Sequence, residues 1–132
     1  MSSRPRPGAS QALVEFALVV PLMLALSLGA LQLVLYAHAR DVIISSVQEA
    51  ARLAAEDGRG LDEGNARARQ LIAAGLGASA DPFEVHVSIG GELVTVWAHA
   101  ALRPIVPAPA TMTLPIHAAA QVARERFRPG GR

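Results

Sequence analysis

The sequence predicts an α+β protein hung on one long N-terminal helix. Three observations predict it. From Phe16 to Ala39 there is no charged residue over 24 positions, and about 20 apolar residues suffice for a helix to cross the hydrocarbon core of a bilayer. After that run a period of three and four continues to Glu56, the pattern of an amphipathic helix. Beyond Pro82 the period changes to two, the pattern of strands with one buried face.

The chain has 132 residues, no cysteine and a formal net charge of +1. About 30 residues go to the span, which leaves one small domain. Without cysteine there is no disulfide framework, thiolate metal site or thiol nucleophile. Near-zero net charge gives no electrostatic footprint for nucleic acid. Gly58, Gly60 and Gly64 follow a helix and precede no Lys-Ser/Thr, so they form no phosphate loop. No Ser/His/Asp spacing or paired carboxylates stand out. The expectation is a protein that is not an enzyme, with no cofactor, no nucleic-acid partner and no small-molecule substrate.

Residues 1–10, MSSRPRPGAS, read as a flexible basic leader, since two Arg, two Pro, one Gly and three Ser build no packed element. Arg4 and Arg6 stand before the apolar run with no acid beside them, which keeps the N-terminus cytoplasmic and sends the C-terminal part across. Glu15 is the one acid at the lip of the span. A carboxylate in that setting is costly and marks a functional site, unless it lies solvated at headgroup level and supports the first turn through the helix dipole. Pro21 removes one backbone hydrogen bond and is expected to bend or loosen the helix there.

The run Gln11-Ala12-Leu13-Val14-Glu15-Phe16-Ala17-Leu18, then Pro21, and later Tyr36, Arg40 and Glu49-Ala50-Ala51-Arg52, carries a resemblance. From about Gln11 to Ala55 the sequence resembles the TadE-like family, minor pseudopilins of the tight-adherence (Flp) type IV pilus system. The resemblance implies a basic leader removed by a membrane prepilin peptidase between Ser10 and Gln11, which makes Glu15 the fifth mature residue. The family usually has Gly where this chain has Ser10. Gly8 in that role would make Glu15 the seventh. Glu15, Phe16 and Pro21 are then the assembly and docking residues, with the Glu15 carboxylate meeting the new ammonium of a neighbouring subunit. It further implies a single-pass protein of the bacterial cytoplasmic membrane, N-terminus inside. Its partners would be the peptidase, other pilin subunits and an assembly platform.

Two other readings stay open at the level of sequence. One is a secreted binding domain released by signal peptidase after Ala37-His38-Ala39, an A-x-A-like site. The other is an uncleaved single-span protein serving an envelope complex. Against the first, the apolar run exceeds the usual signal-peptide core, and the helical pattern passes Ala39 without a break.

The divisions follow: leader 1–10, span and stalk helix 11–57, and a small extracytoplasmic α+β domain 58–132. In the stalk, Ile43, Ile44, Val47, Ala51 and Ala54 share one face. Asp57-Gly58-Arg59-Gly60 stops it. A second helix runs from Leu61 or Asp62 to about Leu76, with Ala68, Leu71, Ile72 and Leu76 buried, Gly64 weakening its start, and Gly77 closing it. Phe83–Ile89 and Leu93–Leu102 form a hairpin around Gly90-Gly91, setting Ile89 opposite Glu92 and Val87 opposite Val94. Phe83, Val85, Val87, Ile89, Val94, Val96 and Ala98 face the helices. A third strand covers Met112 to Val122, with Pro115 pointing to an edge position or a bulge, and Arg124–Arg132 form a frayed tail. His86, His99 and His117 fall on the outer face, where solvated imidazoles are the expectation and a metal site is not. Trp97, with Leu93, is the candidate contact for a partner on that face.

Overall fold

The computed structural model describes residues 7–56, 60–77, 82–105 and 112–124. Helix α1 runs Pro7–Ala55, helix α2 Leu61–Leu76, and strands β1 Phe83–Gly90, β2 Leu93–Leu102 and β3 Leu114–Ala123 follow. The strands form one antiparallel sheet in the order β1-β2-β3. This is the α+β architecture expected: one long apolar helix, one short helix and three strands.

Helix α1 is 49 residues long and continuous through Pro21. It begins earlier than the reading of residues 1–10 as unstructured allows. Pro7 opens it, and proline suits a first helical position because its missing N–H would be unpaired there anyway. At the other end the Glu56 N–H turns in to the Leu53 carbonyl at 3.3 Å. The stop signal Asp57-Gly58-Arg59 lies outside the described residues, as do Arg4, Arg6 and the tail beyond Arg124.

The core lies where α1 is covered on two sides. Ile43, Val47, Ala51 and Ala54 are buried as the periodicity predicts, and Ile44 is half-buried. Ala39, Ser46, Ala50 and Ala55 join them, because α2 and the sheet both pack on this half of the helix. Ser46 satisfies its buried hydroxyl by donating to the Val42 carbonyl at 2.6 Å.

Helix α2 buries Gly64, Ala68, Ile72 and Leu76, a clean stripe of every fourth residue, while Leu71 is half-buried. Gly64 has a positive role in packing. A Cβ there would stand 2.8 Å from the Ala54 Cβ and 3.2 Å from the Ala50 carbonyl oxygen. Eleven residues on, a Cβ at Gly75 would stand 2.5 Å from Val42 Cγ1. Eleven residues are close to three turns, so both glycines lie on the face against α1 and let the two backbones approach. Gly77 ends α2 at φ 52°, its N–H bonded to the Ala73 carbonyl.

The hairpin corrects the expected register. Gly90 pairs with Leu93, Ile89 with Val94 and Val87 with Val96, so the loop is Gly91-Glu92 and not Gly90-Gly91. Gly91 has φ 65° and Glu92 has negative φ, the sign pattern of a type II′ turn with Gly first. The pairing shifts by two residues, and side chains alternate with period two, so the faces survive the shift. Val85, Val94, Val96 and Ala98 are buried, Phe83, Val87 and Ile89 half-buried. Strand β3 starts at Leu114 and is an edge strand, with Pro115 opposite Ala101. Met112 precedes it and is exposed. Arg124, expected to fray, donates its N–H to the Glu92 carbonyl at 2.7 Å.

Candidate functional site

The first functional region is the bare half of α1. Every residue from Gln11 to Val19 is exposed, and so are Leu22, Met23, Leu24, Leu26, Leu31, Leu33 and Val34. A helix apolar on all sides and covered by nothing needs an apolar surround. It is the one helix among the described residues long and apolar enough to cross a membrane, and its most apolar window has no buried residue. The chain thus has the form of a single-pass membrane protein. Ser27 satisfies its hydroxyl internally by donating to the Met23 carbonyl at 2.8 Å.

Glu15 is the only charged side chain from residue 11 to residue 39. It shares a face with Gln11, Val14 and Leu18, spaced as a helix places residues one and two turns apart. Phe16 is one position round the helix and 68% exposed. Pro21 is exposed and lies within the continuous helix. The Ser10–Gln11 bond falls between the fourth and fifth residues of α1. The first-turn N–H groups of a helix have no intrahelical acceptor, so opening this turn costs little. Ala37-His38-Ala39 lies in mid-helix, and Ala39 is 1% exposed. A cut after Ala39 would sever the helix on which the sheet is packed.

The head seats low on α1 through contacts that have no sequence signature. Gln32 Oε1 accepts the Ile105 N–H at 2.7 Å, and Gln32 Nε2 is buried without a partner. The Tyr36 hydroxyl lies 3.4 Å from the Pro115 carbonyl, to which it donates. A cleft of about 210 Å³ opens here, with Leu35, His38, Leu76, Leu102 and Arg103 among its walls. At the opposite corner the Asn65 amide donates to the Val85 carbonyl at 3.1 Å and accepts from Arg69 Nε at 2.8 Å, tying α2 to β1.

The second region is the outer face of the sheet. Trp97 is 41% exposed and Leu93 47%. The corrected register sets His86 beside Trp97, and their rings stack at 4.1 Å. Ala119 flanks Trp97 on the other strand, and its methyl leaves that side of the indole low-walled. One row along, Glu84, His99 and His117 stand side by side on the three strands. The His99 and His117 rings stack at 4.4 Å. No group of three His, Cys, Asp or Glu placed to hold a metal ion occurs among the described residues.

In comparison with known proteins, residues 11–52 match the family model described as TadE-like protein. The match covers the bare span and the stalk up to Arg52, and ends before α2. No curated protein and no solved structure matches the chain.

Proposed function

From the TadE-like segment at residues 11–52, which ties the chain to tight-adherence pilus systems, we propose that this protein is a minor pilin or pseudopilin. It is a structural subunit for building such a pilus or a related secretion filament. The observation that carries this reading is Glu15, a single carboxylate on a helix otherwise uncharged from Gln11 to Ala39 and uncovered by its own head. The subunit sits in the cytoplasmic membrane with its N-terminus inside and its head outside. Prepilin peptidase cuts between Ser10 and Gln11, and the head remains attached through the stalk.

The chemistry of docking follows from the cut. Hydrolysis of the Ser10–Gln11 bond leaves a free ammonium on Gln11. Two opposite charges 4 Å apart attract by about 4 kcal/mol at an effective dielectric of 20. An unpaired carboxylate in the membrane is expensive. A neighbouring subunit that brings its Gln11 ammonium to Glu15 removes that cost only at one axial offset, so the pair sets register. Phe16 and the surrounding Leu and Val side chains supply the apolar contact, and Pro21 frees one backbone carbonyl in the same stretch. Trp97 and Leu93 give the head a separate contact for a partner subunit.

The test is complementation in a strain lacking this gene. Wild type restores surface filaments. Glu15→Gln and Glu15→Ala reach the membrane at wild-type level and restore few or none. Wild-type filament numbers with both variants would sink the docking role of Glu15.

A further inference from the structure

The membrane-side end of the sheet has an unusual composition for a water-exposed loop end. Strand β2 ends there and β3 begins, since Leu102 pairs with Leu114. Just beyond them Ile105 is 51% exposed and Met112 55%. Exposed loop ends are normally polar. Here the sequence carries no Asp, Glu, Lys or Arg between Arg103 and Arg124. Arg103, at the edge of the pair, is exposed.

The height of this end on α1 is set by two contacts. Ile105 is hydrogen-bonded to Gln32, and Pro115 to Tyr36. From Gln11 to Leu31 there are 21 residues, about 31 Å of helix at 1.5 Å per residue. That is close to the roughly 30 Å hydrocarbon core. Counted from Phe16, the same thickness ends at Leu35. Both counts place Gln32 to Tyr36, and with them Ile105, at the membrane surface. Leu33 and Val34 of α1 are exposed at this same level, so the span and the rim of the head both present apolar side chains at this height.

We propose that this rim docks on the phospholipid leaflet on the head's side of the membrane. Ile105 and Met112 enter the interfacial layer, and the Arg103 guanidinium meets lipid phosphates, its flat fork of donors matching phosphate oxygens. The proposal rests on α1 spanning the bilayer. Its consequence is that a subunit stored in the membrane is held by its head as well as its helix, and that leaving the bilayer for a filament must break both holds.

The chain has no cysteine, so single-cysteine variants carry one spin label each. The full chain is placed in nanodiscs of phosphatidylethanolamine and phosphatidylglycerol, with labels at Ile105→Cys, Met112→Cys, Leu24→Cys and Glu92→Cys. Accessibility to oxygen, which concentrates in lipid, is compared with that to a water-soluble nickel reagent. Docking predicts an oxygen-to-nickel ratio at Ile105 and Met112 several-fold above that at Glu92, approaching that at Leu24. Ratios at both positions equal to that at Glu92, with Leu24 still in lipid, would overturn docking and leave the span intact. Labels at 105 and 112 shielded from both reagents would show a protein neighbour in place of lipid, and also overturn it. An aqueous Leu24 would overturn the span together with the docking.

Discussion

Replacing Gly64 with alanine sets two effects against each other, and the structure decides the winner. Alanine is favoured over glycine inside a helix by about 1 kcal/mol. An added Cβ, however, would stand 2.8 Å from the Ala54 Cβ and 3.2 Å from the Ala50 carbonyl. Both neighbours are backbone or the first atom of a side chain, so neither swings away. Overpacking of this kind costs about 1–3 kcal/mol, and contacts this short belong in the upper half of that range. The net expectation for Gly64→Ala is a loss of about 1–2 kcal/mol. For a head of this size that is a fall of very roughly 4–16 °C in melting temperature. The assay is thermal unfolding of the full chain in detergent, followed by near-ultraviolet circular dichroism of Trp97. Ala54→Gly removes the nearer obstacle at its own cost of about 1 kcal/mol. The double variant should therefore melt well above the sum of the two single losses. A Gly64→Ala protein more stable than wild type, or a strictly additive pair, would refute the close-approach account of α1 and α2.

Three further outcomes are expected. Gly91→Ala should cost about 1–2 kcal/mol in the same melt, because alanine at φ 65° is strained. Gly90→Ala, which meets nothing within 4 Å, should stay within about 0.5 kcal/mol of wild type; the reverse order would restore the Gly90-Gly91 loop. Trp97→Ala should keep the fold, losing little beyond the His86 stacking, yet reduce filament numbers in complementation; full assembly would remove the outer sheet face as a partner contact. Ser10→Gly should raise the processed fraction in a pulse-chase with the chain's own peptidase, and an unchanged fraction would show that Ser10 does not limit cleavage.

The sheet face was legible in the sequence while its register was not, and the reason is parity. Val85, Val94 and Val96 point inward under either pairing, because a shift of two residues leaves alternation untouched. The observed loop gives Gly91 its positive φ and sets His86 against Trp97, and a Gly-Gly-Glu string announces neither. Gly64 was only half legible, for a different reason. Read locally, glycine weakens a helix. Its use appears only when Ala50 and Ala54 arrive from 10 to 14 residues away on another helix. Gln32 is a polar residue within an apolar run, but its partner Ile105 is 73 residues distant, and nothing in the spacing joins them. By contrast Glu15, Phe16 and Pro21 needed no tertiary contact to be noticed. Their setting is the span itself, and the span is written in consecutive residues. The helix start at Pro7 escaped notice because Pro, Gly and Ser together read as a linker, while a single proline at the first turn reads as a start.

The central claim is that this chain is a prepilin-type subunit whose docking charge is Glu15. The most direct test is the N-terminal residue of the protein purified from membranes of its own cell. The account predicts a mature chain beginning at Gln11. A chain beginning at Arg40 would contradict it and leave a secreted domain. An intact N-terminus at Met1 or Ser2 would contradict processing and leave an uncleaved membrane anchor.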